Sequence, residues 1–134
     1  MKVEIWSDIN CPFCYIGKRK FENALKDFEQ KDNVEVVWRS FQLDPEIKPV
    51  TGKSVQQYLA NRKEVTLEKG KEMNAYMSGV AKEVGLEYNF NKAIINNTMD
   101  AHRLLHLAAG HGVQNEVKEL LFAAYYTQGK NIGD

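Results

Sequence analysis

Apolar and polar positions change period twice within the first forty residues. Val3-Glu4-Ile5-Trp6 alternates, is rich in β-branched and aromatic side chains, and stops at Ser7-Asp8, which predicts a short strand over Lys2 to Ser7. From Pro12 to Phe28 the apolar positions Gly17, Phe21, Ala24, Leu25 and Phe28 recur every three or four residues, while Lys18, Arg19, Glu22, Asn23, Lys26 and Asp27 fall on the other side. This predicts an amphipathic helix, with Glu22 and Lys26 spaced for a surface pair. Lys31-Asp32-Asn33 is turn chemistry, and Val34 to Phe41 returns to β-favoured residues. Strand, helix and strand in this order make a βαβ unit, whose right-handed crossover sets the two strands parallel.

The pattern then changes character. Two prolines and a glycine make Leu43 to Gly52 a loop, and the remainder of the chain reads as helix. Ser54 caps a helix through Tyr58 and Leu59, and Thr66 caps another through Met73, Tyr76, Met77, Val80 and Val84, with Gly85 at the left-handed C′ position. Leu86, Tyr88 and Phe90 are read as a packed loop. Asn97 or Thr98 opens a helix to Ala109, and Val113 to Thr127 forms the last one, closed by Gly129. The expected fold class is α/β, with residues 1–50 as the N-terminal βαβ part and residues 51–134 as an all-helical subdomain. A chain of 134 residues that is 43% hydrophobic supports one core of this kind.

Charge and hydropathy narrow the function. Eighteen basic side chains balance eighteen acidic ones, so no net field attracts polyanions, and nucleic acid is not an expected partner. No apolar run approaches the ~20 residues of a membrane helix, and Lys2 and Glu4 interrupt any signal-type segment at the start. The expectation is a cytoplasmic protein that does not engage membranes, in a compartment where thiols stay reduced.

The two cysteines carry the chemistry. Two cysteines placed at random fall three apart in about 1–2% of arrangements, and here they do, as Cys11-Pro12-Phe13-Cys14 at a strand-to-helix junction. Proline favours the first helical position, which makes Cys11 the N-cap. Its thiolate would then face the Phe13 and Cys14 amides and the positive helix end, lowering its pKa. Position assigns Cys11 as the nucleophile on the open side and Cys14 as the resolving thiol. A zinc site needs two further ligands, and the three histidines, His102, His106 and His111, lie far along the chain, so no metal is expected.

The run Trp6-Ser7-Asp8-Ile9-Asn10-Cys11-Pro12-Phe13-Cys14-Tyr15-Ile16-Gly17-Lys18 resembles the active-site segment of the DsbA-like thioredoxin superfamily, in particular its FrnE-type branch. Trp38 to Leu43, Asn97-Thr98 with Ala101-His102-Arg103, and Ala124 to Ile132 resemble later segments of that branch in the same order. The resemblance implies a thioredoxin-like βαβ unit with a large helical insertion over the site, and a protein-disulfide oxidoreductase using Cys11 and Cys14. It implies Pro12, Phe13, Asp8 and Tyr15 as site-shaping residues, with Asn97 and His102 on the substrate side. No cofactor beyond the redox disulfide is implied. Expected partners are thiol or disulfide substrates, with glutathione a candidate co-substrate.

Thioredoxin-like folds end with a further β-hairpin and helix, and the loop entering the hairpin carries a cis-proline. The prolines here are Pro12, Pro45 and Pro49, none before a late strand. The expectation is therefore a chain holding the first part of the fold, either as a truncated product or with its open sheet edge completed by a second copy. Two rival functions arise. The 2-hydroxychromene-2-carboxylate isomerases and kappa-class glutathione transferases resemble this fold but carry serine where Cys11 stands; a non-catalytic module would recruit a partner strand at the open edge.

The remaining candidates read as structure. His106 is expected on the solvated face of its helix, opposite Ala101, Leu104, Leu105 and Ala108, with His102 at the boundary. Tyr76, Met77, Tyr88, Phe90, Phe122, Tyr125 and Tyr126 are read as core before substrate groove, and Lys18-Arg19-Lys20 as a solvated helix face.

Overall fold

A computed structural model describes residues 1–48 and 54–134. Strand β1 (Lys2–Ser7) leads into helix α1 (Pro12–Lys26), a single 3₁₀ turn comes next at Lys31–Asn33, and strand β2 (Glu35–Ser40) lies parallel to β1 with Lys2 opposite Glu35 and Ser7 opposite Ser40. Four helices complete the described chain: α2 (Val55–Lys63), α3 (Leu67–Glu83), α4 (Met99–Gly110) and α5 (Gln114–Tyr126). The mixed α/β class with a short parallel sheet is as the hydrophobic pattern predicts. The first helix is two residues shorter than its apolar spacing predicts, and the second strand is one residue shorter at each end. Of the predicted loop, residues 49–52 lie outside the described residues.

Local rules set most element ends. Ser54 and Thr66 each accept a capping hydrogen bond, from the Gln57 and Lys69 amides at 3.1 Å. Gly85 takes φ +79° directly after the last turn of α3, the left-handed position a side chain would resist. Residues 86–90 form no strand, in agreement with the packed loop, and Leu86, Tyr88 and Phe90 are all buried there.

The first helix is buried on a different line from the one its apolar spacing suggests. Tyr15, Ile16 and Lys18 are its buried residues, whereas Gly17 and Ala24 are exposed and Phe28 is 42% exposed. The reason lies in long-range packing, because α5 and α3 cover this side of α1. Lys18 is therefore not on a solvated face. Its Nζ meets Glu22 at 3.2 Å and Glu119 of α5 at 3.4 Å, and Glu22 turns back to Lys18 and Arg19 in place of the predicted partner Lys26.

One apolar cluster joins the loop after β1 and the start of α1 to the helices, through Ile9, Tyr15, Ile16, Met77, Phe122 and Tyr126 among others. Tyr15 stacks on Phe122 with centroids 4.8 Å apart, and Tyr88 on Tyr126 at 4.5 Å. The aromatic residues read as core are buried, except Tyr76, which is 70% exposed. The N-terminal end of α5 is pinned to β2 by side chains. Gln114 accepts from the Trp38 backbone amide at 3.2 Å and donates to its carbonyl at 3.1 Å, while Trp38 Nε1 donates to Asn115. These bonds set the inner face of α5 against the back of the β1–α1 junction.

Candidate functional site

Side-chain hydrogen bonds tie the loop between β1 and α1 into the fold. Ser7, Asp8 and Ile9 are all buried, and the Asp8 carboxylate gathers donors from three parts of the chain. Oδ1 accepts from the Ile9 amide at 2.8 Å and from His102 Nε2 at 2.9 Å, and Oδ2 accepts from the Leu43 amide at 2.8 Å. Burial alone would raise this carboxyl, but the hydrogen bonds from His102, Thr98 and Leu43 outweigh it and hold Asp8 below the usual carboxylate range. The ionised aspartate thus ties α4 and the chain after β2 to the turn that presents the cysteines.

Cys11 is the N-cap of α1, with Pro12 at the first helical position. Its extended backbone (φ −97°, ψ 109°) lets the carbonyl accept from the Cys14 amide at 3.0 Å. Both thiols are free and partly buried. The Cys11 sulfur makes no capping hydrogen bond of good geometry, which departs from the expected cap. The interaction with the Cys14 thiol and burial push the Cys11 thiol well above the usual thiol range, even though the Cys14 and Phe13 amides favour its anion. Cys14 is lowered to about 7 by the interaction with the Cys11 thiol, against burial, with the Asp8 amide and the Lys118 charge adding to the effect. The helix start therefore creates one easily lost proton that belongs to the Cys11–Cys14 pair as a unit.

The two sulfurs open on different spaces. Cys11, Pro12 and Phe13 border a cavity of about 790 Å³ whose walls include Tyr58, Met73 and Met77. Arg62, Lys63, Lys69 and Glu72 stand on the same wall. Cys14 borders a separate space of about 310 Å³ with Ser7, Lys18 and Trp38. Phe13 is 65% exposed, an apolar surface next to Cys11 at the edge of the cavity.

The predicted site residues separate into three groups. Cys11, Pro12 and Phe13 stand together at the large cavity, and Asp8 lies directly behind them as a support. Tyr15 points into the core, stacked on Phe122. Asn97 and His102, expected on the substrate side, are not on the cavity wall. Asn97 Nδ2 donates to the Pro45 and Ile47 carbonyls, and its Oδ1 accepts from Gln42 Nε2 and from the Met99 amide at the start of α4. His102 is 3% exposed and committed to Asp8; it replaces Leu104, which is 45% exposed, on the buried line of α4. His106 is exposed, as expected, and its Nε2 lies 2.9 Å from Ser40 Oγ. Among the described residues no three His, Cys, Asp or Glu side chains gather as a metal site, and no helix is long and apolar enough to cross a membrane.

Sequence reasoning missed Lys118 and Glu119. Lys118 sits at the spacing of Phe122, Tyr125 and Tyr126 on α5, so it occupies an apolar stripe, and that misplacement of a lysine was the available signal. Glu119 reaches Arg19 at 2.7 Å as well as Lys18, a pairing across a hundred residues that no local pattern marks.

The same chain pattern recurs in known proteins. Residues 2–134 match the DSBA-like thioredoxin domain family. The uncharacterized protein YwbO of Bacillus subtilis (strain 168) is 31% identical over 137 residues, an alignment covering 98% of this chain and 60% of YwbO. The crystal structure of a probable DsbA oxidoreductase from Streptomyces coelicolor superposes with a TM-score of 0.89 at 35% identity, covering 98% of this chain and 56% of that one. The chain thus spans little more than half the length of these relatives.

Proposed function

Starting from the fact that the chain belongs to the DSBA-like thioredoxin domain family, as its segment from Trp6 to Lys18 leads one to expect, we propose that it is a thiol-disulfide oxidoreductase of the FrnE type with Cys11 and Cys14 as its redox pair. The observation that carries the reading is the placement of the two cysteines at the helix start: Cys11, the N-cap of α1, borders an open cavity with a largely apolar lining, while Cys14 lies one turn in and borders a separate small space.

In the oxidising direction a substrate thiolate attacks Cys11 Sγ of the Cys11–Cys14 disulfide. The S–S bond breaks and its electron pair leaves on Cys14, whose low pKa makes it a good leaving group. A second substrate thiolate then attacks the substrate sulfur of the mixed disulfide, releasing the oxidised substrate and Cys11, which takes up a proton. In the reducing direction the steps reverse, and the thiolate of the pair attacks as Cys11 Sγ at the cavity. Retention of both cysteines favours this over the isomerase and transferase chemistries, whose families place serine at the position of Cys11.

The cavity also implies a preference. Burying one large apolar side chain contributes about 1.5–3 kcal/mol, so a disulfide flanked by Leu or Phe gains about tenfold or more in its reaction with Cys11. Stopped-flow rates for matched peptide disulfides with Phe or Asp beside the cysteine test this. The expected order is Phe over Asp by at least about tenfold; equal rates, or a preference for Asp, would remove the cavity from the substrate path.

A further inference from the structure

Lys118 is wholly buried, and its Nζ has no hydrogen-bond partner among the described residues. The ammonium lies over two aromatic faces instead, 5.3 Å from the Trp38 ring and 5.0 Å from the Phe122 ring. Lys18 shows what a structural buried lysine looks like in the same molecule, since Glu22 and Glu119 both reach it. The neighbouring acid Glu119 turns away from Lys118 to serve Lys18 and Arg19. A buried cation without a partner is costly, and replacing such a group by an apolar one of similar volume is commonly neutral or stabilising. Packing alone gives no reason for lysine here.

The charged and titratable groups facing Lys118 are Cys14, Cys11 and Lys18 on α1 and Asp8 in the β1–α1 loop. Asp8 is already saturated by Ile9, Leu43 and His102, and Lys18 repels. Only the cysteines change their charge with redox state, because the dithiol carries an anion and the disulfide carries none. Cys14 borders the same small space as Trp38, the ring over which the ammonium lies. Burial pushes the Lys118 amine down to about 8, against the pull of Cys14, Asp8 and Cys11, so its charge depends on those neighbours.

We infer that Lys118 is a positioning residue of the dithiol: its buried ammonium is the counter-charge that stabilises the thiolate of the Cys11–Cys14 pair and is left unpaired when the two cysteines close their disulfide. The inference rests on the redox pair proposed above and adds a direction to it. A counter-charge present only for the dithiol favours the reduced protein, which makes the disulfide form a stronger oxidant. When a substrate thiolate attacks Cys11, the electron pair leaving on Cys14 arrives opposite a cation already in place.

The test uses the full chain and its Lys118→Met variant, in which an apolar side chain of similar length fills the same site. Thiolate absorbance followed against pH is expected to show the first thiol pKa of K118M raised by about one unit or more, and equilibration with glutathione to show the variant shifted about tenfold toward its disulfide. A K118M thiol titration superimposing on the wild type would overturn the inference. Should K118M not fold, the unmutated protein gives the answer: with carbon-13-labelled lysine, the Lys118 titration is expected about one unit lower in the disulfide form than in the dithiol, and identical titrations would overturn it equally. The two readings fail separately. A shifted thiolate in a protein that never forms its disulfide removes the oxidoreductase proposal and keeps the coupling; an unshifted thiolate in a protein that exchanges with glutathione does the reverse.

Discussion

Replacing Cys14 by serine is expected to stop turnover and leave the protein covalently joined to its first disulfide substrate through Cys11. The reason is geometric. Cys14 lies one helical turn behind Cys11, its amide bonded to the Cys11 carbonyl at 3.0 Å, so its attack on a mixed disulfide is intramolecular and needs no diffusing thiol. Well-oriented intramolecular reactions have effective molarities on the order of 10⁵ M or more, against external thiols at millimolar concentration. Release of the mixed disulfide should therefore slow by about a thousandfold or more, a conservative figure given that ratio. Intact-mass analysis after mixing with one equivalent of a peptide disulfide should find the Cys14→Ser protein carrying one half of the peptide and the wild type carrying none. Rapid turnover by the variant would mean that Cys14 is not the resolving thiol. Cys11→Ser should form no such adduct, because the sulfur facing the cavity is gone.

The largest effect on stability is expected at Asp8. Alanine there strands two buried donors, on Ile9 and His102, and a partly buried one on Leu43, and unties α4 from the turn that carries the cysteines. Breaking a buried charged network from one side costs about 3–5 kcal/mol, a large share of a small domain's total stability. Denaturant unfolding of Asp8→Ala should show that loss, and a loss under about 1 kcal/mol would mean the network is dispensable. The pH dependence is set by the sign of the shift. Because folding lowers the Asp8 pKa, its contribution is fully present above its unfolded value of about 3.9 and is lost as pH falls through the lower folded value. The wild type should accordingly lose stability steeply below about pH 4, and Asp8→Ala should lose the part of that slope due to this group.

Features decided by a few neighbouring residues are legible in the chain. Alternation over Lys2 to Ser7, proline after Cys11, and Gly85 after a helical stretch each depend on backbone rules that act within one turn, and the structure places a strand, a helix start and a left-handed residue there. The Cys11–Cys14 spacing and the family resemblance are legible for the same reason. The features that cannot be read depend on contacts between distant segments. Lys18 reads as solvated until Glu119 is brought beside it, and His102 reads as a boundary residue until Asp8 arrives from 94 positions away. The charge on the cysteine pair likewise turns on Lys118 and the Asp8 amide, neither of which enters a rule about helix starts. The apolar cavity beside Cys11 belongs to this class as well, since its walls come from the β1–α1 junction and from α2 and α3 together.

The central claim is that Cys11 and Cys14 form one reversible two-electron couple. Equilibrating the protein with graded ratios of reduced and oxidised glutathione, trapping free thiols by acid and alkylation, and weighing the intact chain tests it directly. The expected result is a single transition in which both thiols disappear together and the unalkylated protein becomes about 2 Da lighter, with no glutathione retained at the end point. Two thiols that stay alkylatable at every ratio, or that each end as a separate glutathione adduct, would contradict it.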